Sequence, residues 1–390
     1  MKTYKVQRFF LYIFFFSLNF EMFDLSGSGI FSIGKLTGIL YFVSVIPSLR
    51  SFLSHSDIGK ELRFLWIFFI LLTIVSLFNI NSRDSVFFNF SIFQNILLLI
   101  ILINHERREP GILGKAFFVY SIGTIFLALL AIQGIGISYS TDQRMTIFND
   151  NQNVIGMRMS IAMIIISVIV SGNMFKRSYS NFLLLIPFGI LFTVMLGTGS
   201  RVAIISLSIA LILEIFLLIR KSNIFKKSLI IIIGLLALYV LVDLVKDNEM
   251  MMSRLEKADE GDLSDRNLIW EKILPMIEER PVLGHGSTGY TEKIAPYYYG
   301  DFASPHNVLL EVFVYTGIVG LIFFLIYLMY LFIIAYKYYK KRNKLLALLL
   351  LIPIIGLILS GQILNVKIIY IIFAYVISRK FYLLNSEKYV

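Results

Sequence analysis

The sequence predicts an all-α fold: a polytopic integral membrane bundle of about twelve transmembrane helices, with one large external loop that contains short helices. The first observation is composition, because 57% of the 390 residues are hydrophobic and the mean hydropathy is +0.79. Soluble domains are about 45–50% apolar. Second, several uncharged stretches reach about 17–25 residues, enough for a helix to cross about 30 Å of hydrocarbon. Third, lysine and arginine concentrate in alternate loops, the pattern described by the positive-inside rule.

Apolar runs supply candidate spans along the whole chain. They lie at residues 9–24, 30–49, 64–80, 86–103, 116–136, 153–172, 181–198, 202–219, 228–245, 306–335, 345–360 and 365–382. The first run follows Lys2, Lys5 and Arg8 and has the outline of a secretory signal. No small-residue cleavage site follows it and many more spans do, so we expect a retained helix.

Basic residues orient these spans. With the N-terminus in the cytoplasm, the short outer loops hold only Arg83, Arg144, Arg201 and Lys367. The inner loops and the tail carry Arg50, Lys60, Arg63, Arg107, Arg108, Lys115, Lys176, Arg177, Arg220, Lys221, Lys226, Lys227, Lys337, Lys340, Lys341, Arg342, Lys344, Arg379, Lys380 and Lys388. This repeated asymmetry predicts that both termini are cytoplasmic, and it accounts for the net charge of +11 without a nucleic-acid partner.

The spans divide the chain into three parts. Residues 1–245 carry transmembrane helices one to nine, residues 246–305 form the large external loop, and residues 306–390 carry helices ten to twelve. In the loop, "SDRNLIWEKILPMIEER" has apolar residues at helical spacing and Ser264 as its candidate N-cap. Its charged opposite face predicts a helix that lies on the bilayer surface or caps the bundle. The segment "APYYYG", with Tyr298, suits an interfacial belt or a wall on which sugars stack.

The sequence "SPHNVLLE" marks the start of the tenth span. We expect Ser304 at the N-cap, Pro305 at the first helical position and His306 in the first turn. The positive end of the helix dipole disfavours an imidazolium there, so His306 should be neutral and able to accept a proton. Free N–H groups at the same helix end can bind an anion such as phosphate. Glu311, one turn further in, is placed to orient His306 or to pair with an arginine. The alternative is an interfacial histidine that only marks the water boundary.

Three arginines are candidates for binding a phosphate group. Arg201 closes "LGTGSR" at the outer junction of two spans. Inserting an arginine into the membrane costs about 2.5–3.5 kcal/mol of free energy. Such an arginine therefore pairs with another group, has a functional role, or extends its side chain to the lipid headgroups. Arg266 opens the loop helix, and the alternative is a solvated charge paired with Asp262 or Asp265. Arg158 lies within the sixth span, where it either reaches for the headgroups or adds positive potential to an outward-facing cavity. Guanidinium groups suit diphosphates because they offer forked donors and stay charged.

Several chemistries are excluded or unsupported. The chain has no cysteine, and it contains no HExxH, P-loop or GxSxG sequence. A nucleotide-sugar glycosyltransferase would need a cytoplasmic domain and often an acidic metal motif, whereas the predicted inner loops are all short. His285 and His306 show no recurring metal-ligand spacing. We therefore predict no metal and no cofactor, and any donor must be reached from the outer side of the membrane.

Three pieces of the sequence, in order, resemble the motifs of the integral-membrane O-antigen polymerase and O-antigen ligase superfamily. "GTGSR" at 197–201 is similar to the family's Ser-Arg at the end of a span. "DRNLIWEKILPMIEERPVLGHGSTGY" at 265–290 resembles the Arg…Trp…Pro-x-x-Gly-x-Gly stretch of its large outer loop. "HNVLLEVFVYTGIVGL" at 306–321 resembles the His-Asn…Glu…Gly-x-x-Gly opening of the next span. "RMTIFNDNQNVIG", which begins at Arg144, lacks the usual glycine of the family's upstream Arg…Gly…Asn segment.

The resemblance implies a glycan donor linked to undecaprenyl diphosphate, used on the periplasmic face of a bacterial cytoplasmic (inner) membrane. By this likeness Arg201 and Arg266 would hold and neutralise the diphosphate. His306 would deprotonate or orient the acceptor hydroxyl that attacks the anomeric carbon, with lipid diphosphate as the leaving group. Further candidate residues for binding the diphosphate or glycan are Arg144, Arg158, Asn307, Glu311 and Tyr298. The implied partners are the lipid-linked donor and acceptor, membrane lipids and, as a candidate, a chain-length regulator protein.

Four functions compete. The first is a polymerase that joins repeat units of a surface polysaccharide. The sequences of residues 197–203 and 306–320 favour it because they resemble those of polymerases slightly more than those of ligases. The second is a ligase that transfers finished glycan to lipid A-core or another acceptor. A flippase for the lipid-linked oligosaccharide is the third, although no internal repeat is visible and notable polar residues gather at the outer ends of the spans. The fourth is a membrane scaffold whose loop docks a partner.

Overall fold

The computed structural model describes residues 2–24, 32–50, 56–78, 83–140, 143–171, 185–220, 224–259, 266–298, 304–361 and 364–385. Most of these residues are helical, as predicted, and they fall into two compact units that are each discontinuous in sequence. The first unit comprises Met1–Ser48, Gly111–Gly261 and Asn343–Pro353, and the second comprises Leu49–Pro110, Asp262–Arg342 and Ile354–Val390. The predicted division into transmembrane and external segments concerns membrane topology, and it stays a prediction.

The first unit is built around one buried helix. Its elements are α1 (Lys2–Ser17), α2 (Ile33–Val45), α6 (Ile112–Ile132), β1 (Ile137–Tyr139), β2 (Met145–Ile147), α7 (Gln152–Val170), α8 (Leu185–Gly197), α9 (Arg201–Ile219), α10 (Ile224–Lys246), α11 (Glu249–Asp259) and α15 (Leu346–Leu349). Helix α7 packs against α6, α8 and α9, and residues 155–166 are buried without interruption. The strands form an antiparallel hairpin with Ile137 opposite Ile147, an element that the apolar pattern did not predict.

The second unit holds the long helix that follows the predicted external loop. Its elements are α3 (Ser56–Glu61), α4 (Arg63–Leu77), α5 (Arg83–Arg108), α12 (Arg266–Glu279), α13 (Gly286–Ile294), α14 (Val308–Arg342) and α17 (Lys367–Asn385), while α16 (Leu351–Ser360) begins in the first unit and ends in the second. Helix α14 packs against α4, α12, α13 and α17.

Length and composition support an integral membrane protein. Within the described ranges, the helices long and apolar enough to cross a membrane are Val86–Arg108, Ile112–Ile132, Gln152–Val170, Arg201–Ile219 and Val308–Arg342. Shorter apolar helices occupy Ile33–Ser48, Arg63–Leu77, Ile186–Gly197 and Leu346–Leu359. A membrane-spanning helical architecture is therefore supported. The count of about twelve spans and the external position of residues 246–305 stay predictions.

The loop helix forms as its spacing predicts. Helix α12 buries Ile269, Ile273, Met276 and Ile277, while Leu268, which we grouped with them, is exposed. The candidate N-cap Ser264 lies outside the described residues.

Helix α14 is broken at Gly317, where the backbone takes φ 62° and ψ −168°. The chain between α12 and α13 fills the break: the His285 N–H donates to the Val314 carbonyl at 2.8 Å, and the Ile318 N–H donates to the Pro281 carbonyl at 2.8 Å. These bonds satisfy the backbone groups that the break releases, a requirement for any interruption inside an apolar helix. These hydrogen bonds therefore hold the glycine-rich turn after α12 against the first turns of α14.

Candidate functional site

The turn before α14 differs from the expected helix start. Asn307 is the N-cap, because its Oδ1 accepts from the Leu309 N–H at 3.0 Å and from the Leu310 N–H at 3.2 Å. The Ser304 hydroxyl instead accepts from the His306 N–H at 3.1 Å, and His306 has a left-handed backbone with φ 49°. The predictions of Ser304 as cap and of His306 in the first turn are therefore wrong. Asparagine caps as well as serine does, and it takes this role here.

His306 is half-buried just outside the helix. Burial lowers the pKa of its imidazole, and the positive charge of Arg266 adds to that effect. Since the ordinary pKa of histidine is about 6.5, the side chain is neutral at pH 7. Among the residues that the structure describes, none hydrogen-bonds to the His306 ring, so a ring nitrogen can accept a proton. Burial and the charge of Arg266 are the causes of neutrality that the structure shows.

Trp270 ties the loop helix to this turn. Its indole Nε1 donates to the Pro305 carbonyl at 2.9 Å. Arg266 lies four residues earlier on α12, which places it on the same face of that helix. The hydrogen bond therefore fixes the turn that carries His306 against the helix that carries Arg266. Our prediction did not give Trp270 a role, although the tryptophan of the quoted motif was the available signal.

Glu311 is buried one turn into α14. Only 1% of it is exposed, and the Tyr315 hydroxyl donates to its carboxylate. Its Oε2 atom has no hydrogen-bond partner, and no arginine pairs with it in the described part of the chain. The Tyr315 ring packs edge-on against Tyr290, with centroids 5.4 Å apart. Glu311 therefore has a tyrosine as its partner, where we considered an arginine.

The predicted tyrosine wall is only partly described. Tyr298 is half-buried after the short 3-10 turn Ala295–Tyr297, and it lies near enough to buried Tyr290 to interact with it electrostatically. The Lys272 ammonium lies 5.1 Å from the centroid of the Tyr297 ring. The remaining tyrosine of this segment, Tyr299, is outside the described residues. An aromatic surface with an adjacent cation is suited to stacking against a sugar ring.

In the first unit, arginines gather around the turn that ends "GTGSR". Arg144 donates from Nε to the Thr198 carbonyl at 2.9 Å and from Nη2 to Asn153 Oδ1 at 2.9 Å. Arg201, the first residue of α9, donates from Nη1 to the Arg254 carbonyl at 2.9 Å. A Cβ on Gly199 would lie 3.1 Å from Arg254 Cδ and 3.4 Å from Arg144 Cγ, so these two side chains flank the turn.

Arg254 is the member of this cluster that sequence reasoning missed. It lies on α11, which packs against α8 and α9. The sequence around Arg254 gives no local signal of this position, because only tertiary packing brings Arg254 to the turn that ends "GTGSR". We call Arg144, Arg201 and Arg254 the arginine cluster.

Arg158 has a different environment from the arginine cluster. It is buried, forms an ion pair with Asp150, and its Nη2 lies 3.8 Å from Glu21 Oε2. Two carboxylates compensate its charge, as a buried guanidinium requires. Arg158 is therefore better explained as a structural ion pair of the first unit than as the diphosphate ligand that we predicted.

The structure thus distributes the predicted site residues over the two units. The first unit holds Arg144, Arg158 and Arg201, and the second holds Arg266, Tyr298, His306, Asn307 and Glu311. Within the described ranges, no group of three or more histidine, aspartate or glutamate side chains is arranged to hold a metal ion.

Comparison with known proteins identifies the segment that contains these motifs. A family model described as O-Antigen ligase matches residues 186–325, which include "GTGSR", α12, α13 and the start of α14. An uncharacterized protein of Haemophilus influenzae (strain ATCC 51907 / DSM 11121 / KW20 / Rd) is 27% identical over 313 residues, which cover 73% of this chain and 74% of that protein. Over residues 186–325, the family match confirms the predicted resemblance to the O-antigen polymerase and ligase superfamily.

Proposed function

We propose that this protein is a membrane glycosyltransferase that polymerises undecaprenyl-diphosphate-linked repeat units into O-antigen or a related surface polysaccharide. The reaction would take place on the outer face of the bacterial cytoplasmic membrane and would need no metal ion. The observation that carries the proposal is the neutral, half-buried His306 next to Arg266. Both residues lie within the segment that matches the O-Antigen ligase family.

In the proposed reaction, a ring nitrogen of His306 accepts the proton of the acceptor sugar hydroxyl. The hydroxyl oxygen forms a bond to the anomeric carbon of the donor, and the bond from that carbon to the diphosphate oxygen breaks. The electron pair leaves with the lipid diphosphate, whose negative charge Arg266 stabilises. General base catalysis and charge stabilisation of this kind each contribute about 10²–10⁴-fold to rate.

Other residues have supporting roles in this proposal. Asn307 positions His306, because it fixes the start of α14 directly after the histidine. Tyr298 is proposed as part of the surface that contacts the glycan. Charge alone supports a phosphate-binding role for Arg144 and Arg201, whose guanidinium groups supply forked donors.

A ligase is the second candidate, because the family match itself is described as O-Antigen ligase. Polymerase and ligase use the same kind of donor and differ in the acceptor. The match does not distinguish the two reactions. Our preference for polymerase depends on the sequences of the motifs around residues 197–203 and 306–320.

Gel electrophoresis of surface glycan from a deletion strain tests the proposal. The strain would carry empty vector, wild type, His306→Ala or Lys293→Ala, the last being a partly exposed control on α13 of the same unit. A single repeat unit on the acceptor with empty vector and with His306→Ala, and a full ladder with Lys293→Ala, would support a polymerase. A bare acceptor with accumulated lipid-linked polymer would indicate a ligase. A full ladder from His306→Ala at matched expression would refute the assigned role of the histidine.

A further inference from the structure

A polar cavity lies in the second unit at the last turns of α5 and α17. Its volume is about 270 Å³. It is lined by Glu106, Arg107, Arg108, Pro110, Ser378, Phe381 and Tyr382. One water molecule occupies about 30 Å³ in the liquid, so the cavity has room for a phosphate group.

Arg107 is held in this cavity with unused hydrogen-bonding capacity. Its guanidinium carbon lies 4.3 Å from the centroid of the Phe381 ring, a cation–π contact that fixes the group in place. Its Nη1 atom is buried and has no hydrogen-bond partner among the described residues. A charged donor without a partner is unfavourable. Because Arg107 lines the cavity, a small shift of its guanidinium would let an anion in the cavity supply the missing acceptor.

The carboxylate in the cavity does not compete for that role. Glu106 is fully buried and forms an ion pair with Arg379. The Tyr382 hydroxyl donates to the same carboxylate oxygen at 2.6 Å. The charge of Glu106 is therefore compensated by Arg379, and Arg107 adds a positive charge to the lining of the cavity. The neighbouring Glu109 lies outside the lining residues.

The location of the cavity indicates the source of a ligand. Helix α5 contains the candidate span Val86–Arg108, so Arg107 and Arg108 lie at one end of a membrane-crossing segment. Arginines at that depth meet the headgroups of the bilayer, and basic pockets between transmembrane helices bind anionic lipid headgroups. We propose that this cavity binds a phosphate-bearing anion through Arg107, either the headgroup of an anionic phospholipid or a soluble phosphate. The simpler alternative is that both arginines only complement the negative end of the α5 dipole.

Native mass spectrometry of the full-length protein in detergent would test this site with phosphatidylglycerol, phosphatidylcholine and inorganic phosphate as probes. Wild type should bind one phosphatidylglycerol about tenfold more tightly than phosphatidylcholine, the size expected for one charge-assisted hydrogen bond. Arg107→Gln should lose that preference. The matched control Arg220→Gln, at the exposed end of the span Arg201–Ile219, should keep it. If inorganic phosphate binds to wild type and not to Arg107→Gln, while phosphatidylglycerol binds no more tightly than phosphatidylcholine, the site is supported and its ligand is a soluble phosphate.

Equal binding of both lipids and of phosphate by Arg107→Gln and wild type would overturn the proposal, as would the absence of any binding to wild type. Arg107→Lys is a second variant in case Arg107→Gln does not fold, because it keeps the charge and loses the forked donors. It should bind several-fold more weakly than wild type, and an unchanged affinity would exclude the role given to the Arg107 guanidinium. These outcomes do not depend on glycosyl transfer, since neither the probes nor the variants involve His306.

Discussion

Replacing Gly284 with alanine tests how the glycine-rich turn is joined to the broken helix. Gly284 has φ 70°, and an added Cβ would lie 2.6 Å from the Tyr315 carbonyl carbon and 2.7 Å from the backbone nitrogens of Thr316 and Gly317. These are backbone atoms, so no side-chain rotation can relieve the contact. The left-handed backbone costs alanine about 1–2 kcal/mol, and forcing a methyl group into a packed region costs about 1–3 kcal/mol. We expect the sum, about 2–5 kcal/mol, to be lost from the free energy of unfolding.

Two other glycines separate these contributions. Gly111 also has a positive φ, 88°, but a Cβ there meets nothing within 4 Å, so Gly111→Ala should show the conformational cost alone. Gly59 has open space and lies within helix α3, where alanine is favoured by about 0.5–1 kcal/mol. Thermal melting of the three purified full-length variants should therefore rank Gly59→Ala highest and Gly284→Ala lowest. A Gly284→Ala melting temperature equal to that of Gly111→Ala would refute the close approach.

Three further predictions concern side chains of the second unit. The rate of glycosyl transfer should fall as the pH drops through the lowered pKa of His306. Arg266→Gln should move this acidic limb of the pH–rate profile to higher pH, because removing a positive charge favours the imidazolium. A pH–rate profile that does not move would contradict the coupling between the two residues. Trp270→Phe keeps the ring but loses the hydrogen bond to the turn before α14, so it should destabilise the protein by about 1 kcal/mol in thermal melting and lower activity; an unchanged activity would contradict the positioning role. Arg379→Met should lower the free energy of unfolding by about 3–5 kcal/mol because it leaves the buried carboxylate of Glu106 without its cation, and Glu106→Leu in the same chain should restore most of the melting temperature; equal melting of the single and double variants would contradict this.

Much of the fold was predictable because its signals are local. Apolar runs predicted membrane-spanning helices, and helical spacing predicted α12 before its packing partners were known. The start of α14 was not predictable in the same way. Ser304 and Asn307 are both good N-caps, and proline after Ser304 fits a first helical position. Local sequence therefore permits two starts, and the structure takes the second, with the Trp270 indole on the Pro305 carbonyl.

The environment of the candidate site residues was less predictable than their identity. Arg158 is a candidate anion ligand in the sequence because the sequence does not show its ion-pair partners. Glu21 is distant in the chain, and Asp150 precedes the helix that carries Arg158. The break at Gly317 depends on hydrogen bonds from residues 281–285, which no periodicity reveals. Burial of His306 likewise follows from tertiary packing. In each case the sequence identifies a chemical group, and contacts from elsewhere in the chain determine what that group can do.

The glycines and the candidate reactive side chains of the motifs have different explanations in this structure. Gly284 and Gly317 allow two backbones to approach, and a Cβ on Gly317 would overlap the Val282 carbonyl, so the glycine-rich pieces of both motifs are accounted for by the joint between the turn and α14. That joint needs no histidine before the helix and no arginine at the start of α12. His306 and Arg266 therefore have no part in the glycine contacts that define the joint. A histidine whose pKa is lowered by burial and by a neighbouring guanidinium is a candidate for chemistry, which is the role given to it in the proposed function.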